Sequence, residues 1–533
     1  MSAVLAPVRT RQVGLGQLVR LAVRRDRVMV PAWFAALLLV CFASASATAT
    51  LYTTEADRVK AAEAINSSPG IVALYGPIVD VHSEGELAMT KMTVLYAVFV
   101  ALMFLFVVRR HTRLEEEGGQ SELLGGTAIT RQAPLTAAIG FGFALALVLG
   151  VLTAAANVAG GLPVAGSLAF GASWAGIGLV STTLTAAACQ VSSSARTCAG
   201  IAAVGLGVLY LLRAVGDTSD ASWLSWLTPF GWNTQLRAYS DPRWWILALY
   251  VGTALALAGL AFWLSHRRDL GSGLVAARPG PATGSPRLAD AVALAIRVHT
   301  PMVVGWTVAV GVVGLVFGAI SPSFDKLDSQ SLEDMMRRIG GSGAFREALL
   351  GAVVSVLGLI VTCFAVAVVG HGGSDEQDGR TEQVLATATS RARAFLATLV
   401  VGILGATWLL LVAGVALAVG VGNDAGLSFG RLVGSALAQA PAMWLVVALS
   451  VLVFAWRSDR AVLGWGLVVV FTTLGLVGEL LDLPQWVLDL SPYTHTPHMP
   501  LEDFRLGPAA LLSLLAAVLL AVSWWRYRSR DIG

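Results

Sequence analysis

Residues 115–131 read EEEGGQSELLGGTAITR, and residues 375–391 read DEQDGRTEQVLATATSR. Both stretches begin with acids, contain a glycine followed by a Ser-Glu or Thr-Glu pair, and end in Thr-Arg or Ser-Arg. Each lies between two long apolar segments, so the same polar loop recurs at the same place in each half of the chain. The recurrence indicates a duplicated chain. Internal similarity of this kind predicts an architecture built from two copies of one structural unit.

The composition identifies the class of protein. Hydrophobic residues make up 56% of the chain and charged residues 13%, which is about half the charged share of a soluble globular protein. A lipid bilayer accepts this much apolar surface as one assembly of helices. The predicted fold class is therefore an all-α polytopic membrane protein. The net charge of +3 is small and indicates no particular partner.

Apolar runs of about 20 residues are long enough to cross the hydrocarbon core of a membrane. The sequence contains twelve such runs, at residues 29–50, 89–108, 135–159, 164–189, 197–215, 244–264, 301–320, 348–370, 395–420, 432–455, 461–480 and 507–525. Short polar turns separate 164–189 from 197–215 and 432–455 from 461–480, which leaves the count open by one or two.

Arginine placement predicts the orientation of the spans. The arginines cluster on one side of a twelve-span arrangement, and the positive-inside rule makes that side cytoplasmic, with both termini inside. Ala43-Ser44-Ala45 after the first run resembles a signal-peptide cleavage site. The charged region before that run is too long for a signal peptide, however, and cleavage would invert the arginine pattern. The four cysteines show no metal-ligand spacing and indicate no disulfide framework.

The self-similarity extends along the chain, because LAVRRDRVMVPAW at 21–33 matches LAIRVHTPMVVGW at 294–306, and HRRDLG at 266–271 matches RSRDIG at 528–533. Six spans per repeat predict two parallel repeats about a pseudo-twofold axis along the membrane normal. The predicted organisation is a cytoplasmic amphipathic segment at 1–27, a first repeat at 28–265 with its polar loop at 109–134, a linker and second amphipathic segment at 266–300, a second repeat at 301–525 with its polar loop at 371–394, and a tail at 526–533. The amphipathic segments suit the membrane interface, either as plain anchors or in contact with a soluble partner.

A short helix is expected within each polar loop. Ser121 and Thr381 precede Glu122 and Glu382, and a cap residue followed by an acid favours the N-terminal end of a helix. The hydroxyl groups at 130 and 390 can cap the following span in the same way.

Arg131 and Arg391 follow in the first turn of that span, where the helix dipole disfavours a cation. Their presence in both copies predicts a partner outside that helix. The arginines could bind lipid phosphates. Alternatively, each loop as a whole is a docking element for a soluble protein.

These residues resemble the coupling-helix loop of type V ABC exporter permeases. A duplicated chain of this length resembles their fused bacterial form, the polyketide-antibiotic and multidrug exporters. Many relatives carry a proline where this chain has Ala128 and Ala388. The resemblance implies that the residues that couple to the ATPase are Gly119, Glu122, Leu123, Leu124, Arg131, Gly379, Glu382, Val384, Leu385 and Arg391.

The resemblance implies a transmembrane subunit that moves amphipathic small molecules, such as antibiotics, out of a bacterial cell across its inner membrane by alternating access. Two copies of a soluble ABC ATPase subunit would each hold one loop. None of Lys60, Lys91 and Lys326 stands in a Walker A pattern, so ATP and Mg would bind to the partner subunit. This chain is expected to carry no cofactor, metal or catalytic residue, and no nucleic acid is expected among its partners.

A few polar residues in or near the spans are candidates for the translocation path or an outer gate, because charged groups inside a bilayer are functional suspects. Arg213 and Asp217 are four apart, which also fits a local ion pair, and Gln439 precedes a proline that would kink its span. His495 lies in a histidine-containing, proline-rich loop that fits a structured gate better than a metal site. The candidates are Arg213, Asp217, Gln439, Glu479 and His495.

A proton-coupled secondary multidrug carrier is the alternative function, because twelve spans in two parallel halves is also the plan of the major facilitators. The basic Gly-Asp-Arg-Gly-type loop of that family is missing here. A membrane-embedded enzyme is disfavoured, because the sequence shows no paired carboxylates, nucleophile elbow or zinc spacing on a cytoplasmic loop.

Overall fold

The computed structural model describes residues 14–126, 129–276, 282–285, 288, 290–321, 342–422, 427–461, 463–477, 484–497 and 499–531. The described chain is helical and divides into an N-terminal unit, Met1–Gly280, and a C-terminal unit, Pro281–Gly533. The predicted Glu479, His498 in the loop of His495, residues 1–13, Ala128 and linker residues 277–281 and 286–287 lie outside the described residues, as does the side chain of Leu124.

The N-terminal unit begins with an amphipathic helix and alternates long apolar helices with short ones. Its helices are α1 (Leu15–Arg25), α2 (Met29–Leu51), α3 (Glu55–Asn66), α4 (Pro69–Tyr75), α5 (Glu84–Thr93), α6 (Leu95–Arg110), α7 (Arg113–Glu117), α8 (Gln120–Gly125), α9 (Ala133–Ala159), α10 (Val164–Ala188), α11 (Ala195–Thr218), α12 (Trp223–Trp226), α13 (Pro229–Leu236) and α14 (Ile246–His266).

The described part of the C-terminal unit also combines long and short elements. A π-helical turn, Val400–Leu404, joins α18 to α19, and 3₁₀ turns occur at Ser458–Arg460 and Pro492–His495. The α-helices of this unit are α15 (Ala291–Ile320), α16 (Ser342–Gln377), α17 (Arg380–Leu385), α18 (Arg391–Leu399), α19 (Gly405–Val421), α20 (Phe429–Leu437), α21 (Ala440–Trp456), α22 (Leu463–Val477), α23 (Gln485–Leu488) and α24 (Leu506–Ser529).

Eleven helical segments among the described residues are long and apolar enough to cross a membrane, which confirms an all-α polytopic membrane protein. They correspond to eleven of the twelve predicted runs. The remaining run, at 461–480, is represented by α22, which has 15 described residues and is shorter than the others. The predicted count of twelve is therefore one higher than the count in the described part of the chain.

The sequence placed several span ends wrongly. Residues 89–93 belong to α5, because the backbone at Val94 (φ −123°, ψ −57°) separates α5 from α6. The second amphipathic segment does not form a separate helix, since α15 runs without a break through Pro301. The eighth span continues to Gln377, seven residues beyond its predicted end, so the second polar loop starts inside α16.

Each unit is built around close contacts between small residues. In the N-terminal unit, a Cβ atom on Gly150 of α9 would lie 2.6 Å from the carbonyl oxygen of Gly171 in α10. In the C-terminal unit, a Cβ atom on Gly318 of α15 would lie 2.4 Å from the carbonyl oxygen of Leu417 in α19. Packing of small residues brings membrane helices together where water provides no hydrophobic driving force.

Candidate functional site

The two polar loops, segment I (residues 109–134) and segment II (residues 371–394), share an unusual backbone feature. Each contains a short helix, α8 or α17, that starts directly after a glycine in the left-handed conformation, Gly119 with φ 72° and Gly379 with φ 71°. A Cβ atom would meet nothing within 4 Å at either glycine. Backbone conformation rather than space therefore requires glycine at both positions.

The short helices present exposed tips. Glu122 and Glu382 are exposed, and Leu123 is 79% exposed although it is apolar. Val384 and Leu385 are half-buried. The exposed acid is therefore common to both tips, whereas the highly exposed leucine belongs to segment I.

The predicted helix caps are partly wrong. Thr381 lies inside α17, whose N-cap is Gly379 without a side-chain hydrogen bond, and Ser121 lies inside α8. The prediction for Ser390 is confirmed, because its hydroxyl accepts a hydrogen bond from the Arg393 N–H at 3.4 Å. The hydroxyl of Thr130 has no hydrogen-bond partner among the described residues, and α9 starts later, at Ala133.

Arg131 and Arg391 have the same partner in the two units, the C-terminal end of the last long helix. Arg131 donates to the carbonyl oxygens of Ser265 (3.5 Å) and Arg268, at the end of α14. Arg391 donates to the carbonyl oxygens of Arg528 (3.0 Å) and Arg530 (2.7 Å), at the end of α24. The predicted partner outside the helix is thus supplied by the chain itself, and the negative end of a helix dipole suits a guanidinium.

An ion pair that was not predicted also joins each segment to the same helix end. Arg268 Nη2 and Nη1 lie 2.6 and 2.7 Å from the two carboxylate oxygens of Glu116. Arg530 Nη2 lies 2.5 Å from both carboxylate oxygens of Glu376. The four side chains are between 6 and 13% exposed. Both pairs could have been found, because Glu116 aligns with Glu376 and Arg268 with Arg530 in the matched stretches.

Segment I is further attached to the start of the unit. Arg25, the last residue of α1, donates to Glu115 at 2.7 Å and to Gln120 at 3.1 Å. Asp26, which is 1% exposed, accepts from His111 at 2.6 Å and pairs with Arg110 at 2.9 Å. The C-terminal end of α1 is therefore connected to residues before, within and after α7.

The two segments also touch the turn between the fourth and fifth long helices. In segment I, the Glu117 carboxylate accepts from the Ala195 N–H at the start of α11, at 2.9 Å. The buried Arg113 donates to the carbonyl oxygens of Ser193 (3.0 Å) and Ser272 (2.9 Å). In segment II, Gln377 donates to the Ser458 carbonyl oxygen at 3.0 Å.

Three of the arginines that anchor segment I, Arg25, Arg110 and Arg113, have no counterparts in segment II. The matched stretches place Val298 opposite Arg25, and the spacing of the loops places Gly370 and Gly373 opposite Arg110 and Arg113. His299, opposite Asp26, packs edge-to-face on His371 with ring centroids 5.8 Å apart. The second segment therefore keeps its connection to α24 and lacks the arginine contacts to the first helix.

Segment II carries its own exposed charge cluster. Arg380 bonds to Asp375 at 2.7 Å and to Asp378 at 2.6 Å, and the arginine is 57% exposed. The hydrogen bond to Asp375 raises the pKa of the Arg380 guanidinium above its usual value. Segment I has Gln120 at the corresponding position. The two tips thus share an acid but differ in their exposed charge.

Arg213 and Asp217 form the ion pair that their spacing indicates, at 3.1 Å, with Arg213 0% exposed. Arg213 also donates to the carbonyl oxygen of Val72 in the middle of α4, and Asp217 accepts from Ser225 in α12. These contacts fix the short helices α4 and α12 against α11.

The other candidate path residues lie apart from the segments. Gln439 is 1% exposed and stands between α20 and α21, so the predicted interruption next to Pro441 is present. Within the described residues, its side-chain oxygen has no hydrogen-bond partner. His495 is exposed and bonds to the Asp489 carbonyl oxygen at 2.9 Å. Among the described residues, no group of three or more His, Cys, Asp or Glu could hold a metal ion.

Comparison with known proteins identifies the family. The chain is 36% identical over 522 residues to the multidrug efflux system permease protein Rv1217c of Mycobacterium tuberculosis (strain ATCC 25618 / H37Rv), which covers 97% of this chain and 94% of that protein. The chain belongs to this family of permeases. Residues 288–528 of the permease also match the family described as "Multidrug efflux system permease Rv1217c, C-terminal domain". The matched part begins at residue 288, within the predicted linker and second amphipathic segment (266–300), and it contains the predicted second repeat (301–525) with segment II.

Proposed function

We propose that this permease is the transmembrane subunit of an ATP-driven exporter of amphipathic small molecules such as antibiotics and drugs. Two copies of a soluble ABC ATPase subunit power it, and each copy holds one of the two segments. The observation that carries the proposal is the recurrence, in both units, of a short exposed helix after a left-handed glycine with an exposed glutamate at its tip. The name of the relative, a multidrug efflux permease, supports the class of substrate.

ATP and Mg belong to the partner in this proposal. Binding and hydrolysis of ATP change the spacing of the two ATPase subunits, and the segments follow because they are attached to the long helices behind them. The two six-span halves then alternate between inward-open and outward-open arrangements. The permease contributes the path for the substrate and no catalytic residue.

Orientation is part of the same proposal. The segments must face the cytoplasm, where ATP is available, which places both termini inside and the chain in the inner membrane of a bacterial cell. The arginines that flank the long helices support this orientation.

An efflux assay in whole cells tests the energy source. Cells that express the permease with its ATPase subunit are loaded with a fluorescent amphipathic drug, and export is followed after ATP depletion or after addition of a protonophore. The proposal predicts that ATP depletion stops export and that a protonophore leaves it intact while ATP is maintained. Export that survives ATP depletion but stops with the protonophore would assign the chain to the proton-coupled carriers instead.

A further inference from the structure

Each segment is attached twice to the end of the last long helix of its own unit. One attachment is the largely buried ion pair between a glutamate and an arginine, Glu116 with Arg268 or Glu376 with Arg530. The other is the donation from Arg131 or Arg391 to carbonyl oxygens at that same helix end. The paired residues are 152 and 154 positions apart in the chain, so neither connection follows from local sequence.

The arginine of each pair also reaches the fourth long helix. Arg268 Nε donates to the side chain of Gln190, just beyond the end of α10, at 2.7 Å. Arg530 Nη1 donates to the Phe454 carbonyl oxygen in α21 at 3.0 Å. One guanidinium thus joins the segment, the fourth long helix and the last long helix in both units.

Such a junction is suited to transmitting displacement. Separating a buried ion pair leaves an uncompensated charge, which costs far more than moving the two partners together. Charge-assisted hydrogen bonds between a guanidinium and a carboxylate fix direction as well as distance. A displaced segment is therefore expected to carry the end of α14 or α24 with it.

We infer that Glu116 with Arg268, and Glu376 with Arg530, are positioning residues that pass motion from each segment to the last long helix of its unit. The inference rests on the proposed function, since the ATPase subunits are what would move the segments. By this inference the motion of each segment is passed to α14 or α24, a helix that does not adjoin the segment in sequence. The helices that do adjoin the segments are α6 and α9 in one unit and α16 and α18 in the other.

Charge reversal in the C-terminal unit tests the inference with the purified complex of permease and ATPase. Three variants are compared: Glu376→Arg, Arg530→Glu and the two together. Co-purified ATPase, the midpoint of thermal unfolding and the ratio of drug-stimulated to basal ATP hydrolysis are measured. In each single variant the ATPase should stay bound, and the ratio of drug-stimulated to basal ATP hydrolysis should fall about tenfold. In the double variant this ratio should return to at least half of the wild-type value.

Two further variants separate positioning from folding. Glu376→Gln keeps the shape of the side chain and should fold even where charge reversal does not, with the ATPase bound and the stimulation reduced. Arg505→Glu disrupts an exposed pair with Glu502, whose side chains are 71% and 39% exposed, and should leave every readout unchanged.

Several outcomes would overturn the inference. Wild-type stimulation in well-folded Glu376→Gln, or no recovery in a folded double variant, would show that the pair is only an anchor. Loss of the ATPase from Glu376→Gln would make the pair part of the docking surface. Failure of the proposed function appears separately, because the wild-type permease would then bind no ATPase.

Discussion

Segments I and II have the same short helix and the same connection to the last long helix, but they differ in how firmly they are held. Segment I is anchored by four arginines, Arg25, Arg113, Arg131 and Arg268. In the described residues, segment II keeps the counterparts of the last two, Arg391 and Arg530. The features that both segments retain define what a shared partner can use, and the features that differ define how each segment responds.

The largest effect is expected where the two segments are alike. Replacing both Glu122 and Glu382 by arginine should lower ATP-coupled drug export more than tenfold. Both tips would then carry a positive charge where the docking site on each copy of the ATPase subunit accepts a negative one. Either single replacement should leave intermediate export. Export is measured as drug efflux, and Asp489→Arg, on a different exposed loop, serves as the control. Normal efflux by the double variant would exclude the tips as docking elements.

Replacing each of the two left-handed glycines should show that segment II is held less firmly than segment I. Alanine at Gly119 or Gly379 costs about 1–2 kcal/mol, because a Cβ atom disfavours the left-handed backbone. The loss of efflux should be larger for Gly379→Ala, since segment II has fewer arginine anchors to hold its tip in place. Gly370→Ala, inside α16 with open space around it, is the matched control and should be neutral. A larger loss for Gly119→Ala would contradict the comparison.

The sequence predicted the class of fold better than the positions at which individual helices begin and end. Hydropathy located eleven helices, since about 20 apolar residues suffice to span a bilayer. It did not separate α5 from α6 at Val94 or extend α16 to Gln377, because helix ends depend on contacts such as the Gln377 bond to Ser458. It also missed that α15 passes through Pro301 where the first unit breaks between α1 and α2.

The candidate segments were predicted in position and only partly in detail. Gly119 and Gly379 stood out in the repeat, and the left-handed backbone gives them a physical reason. The partner of Arg131 could not be derived, because its acceptors on Ser265 and Arg268 are more than 130 positions away. The Glu116–Arg268 pair was missed for the same reason, although both of its residues recur in the second repeat.

The arginine of α1 offers a way to make segment I resemble segment II. Arg25→Val introduces the residue found at the corresponding position 298 and removes the bridge to Glu115 and Gln120. The loss of this half-buried bridge should cost about 1 kcal/mol, which is about a fivefold faster amide hydrogen exchange in residues 113–125. Arg24→Val, one residue earlier on α1, is the control. Unchanged exchange in Arg25→Val would show that α1 does not restrain the segment.

The smallest expected effect concerns the caps. Ser390→Ala removes the hydroxyl that accepts from the Arg393 N–H and should destabilise the start of α18 by about 1 kcal/mol. Thr130→Ala, the corresponding change in segment I, should have almost no effect, because that hydroxyl has no partner in the part of the chain that the structure describes. Hydrogen exchange at the first turn of each helix compares the two. Equal changes in both variants would contradict the difference in capping.

The central claim is that one permease chain holds two ATPase subunits, one at each segment. The most direct test is the native mass of the complex that co-purifies with this chain from its own membrane. The account predicts one permease with two copies of a nucleotide-binding subunit. A bare monomer or homodimer, seen also in gentle lipid-preserving extracts, would contradict it.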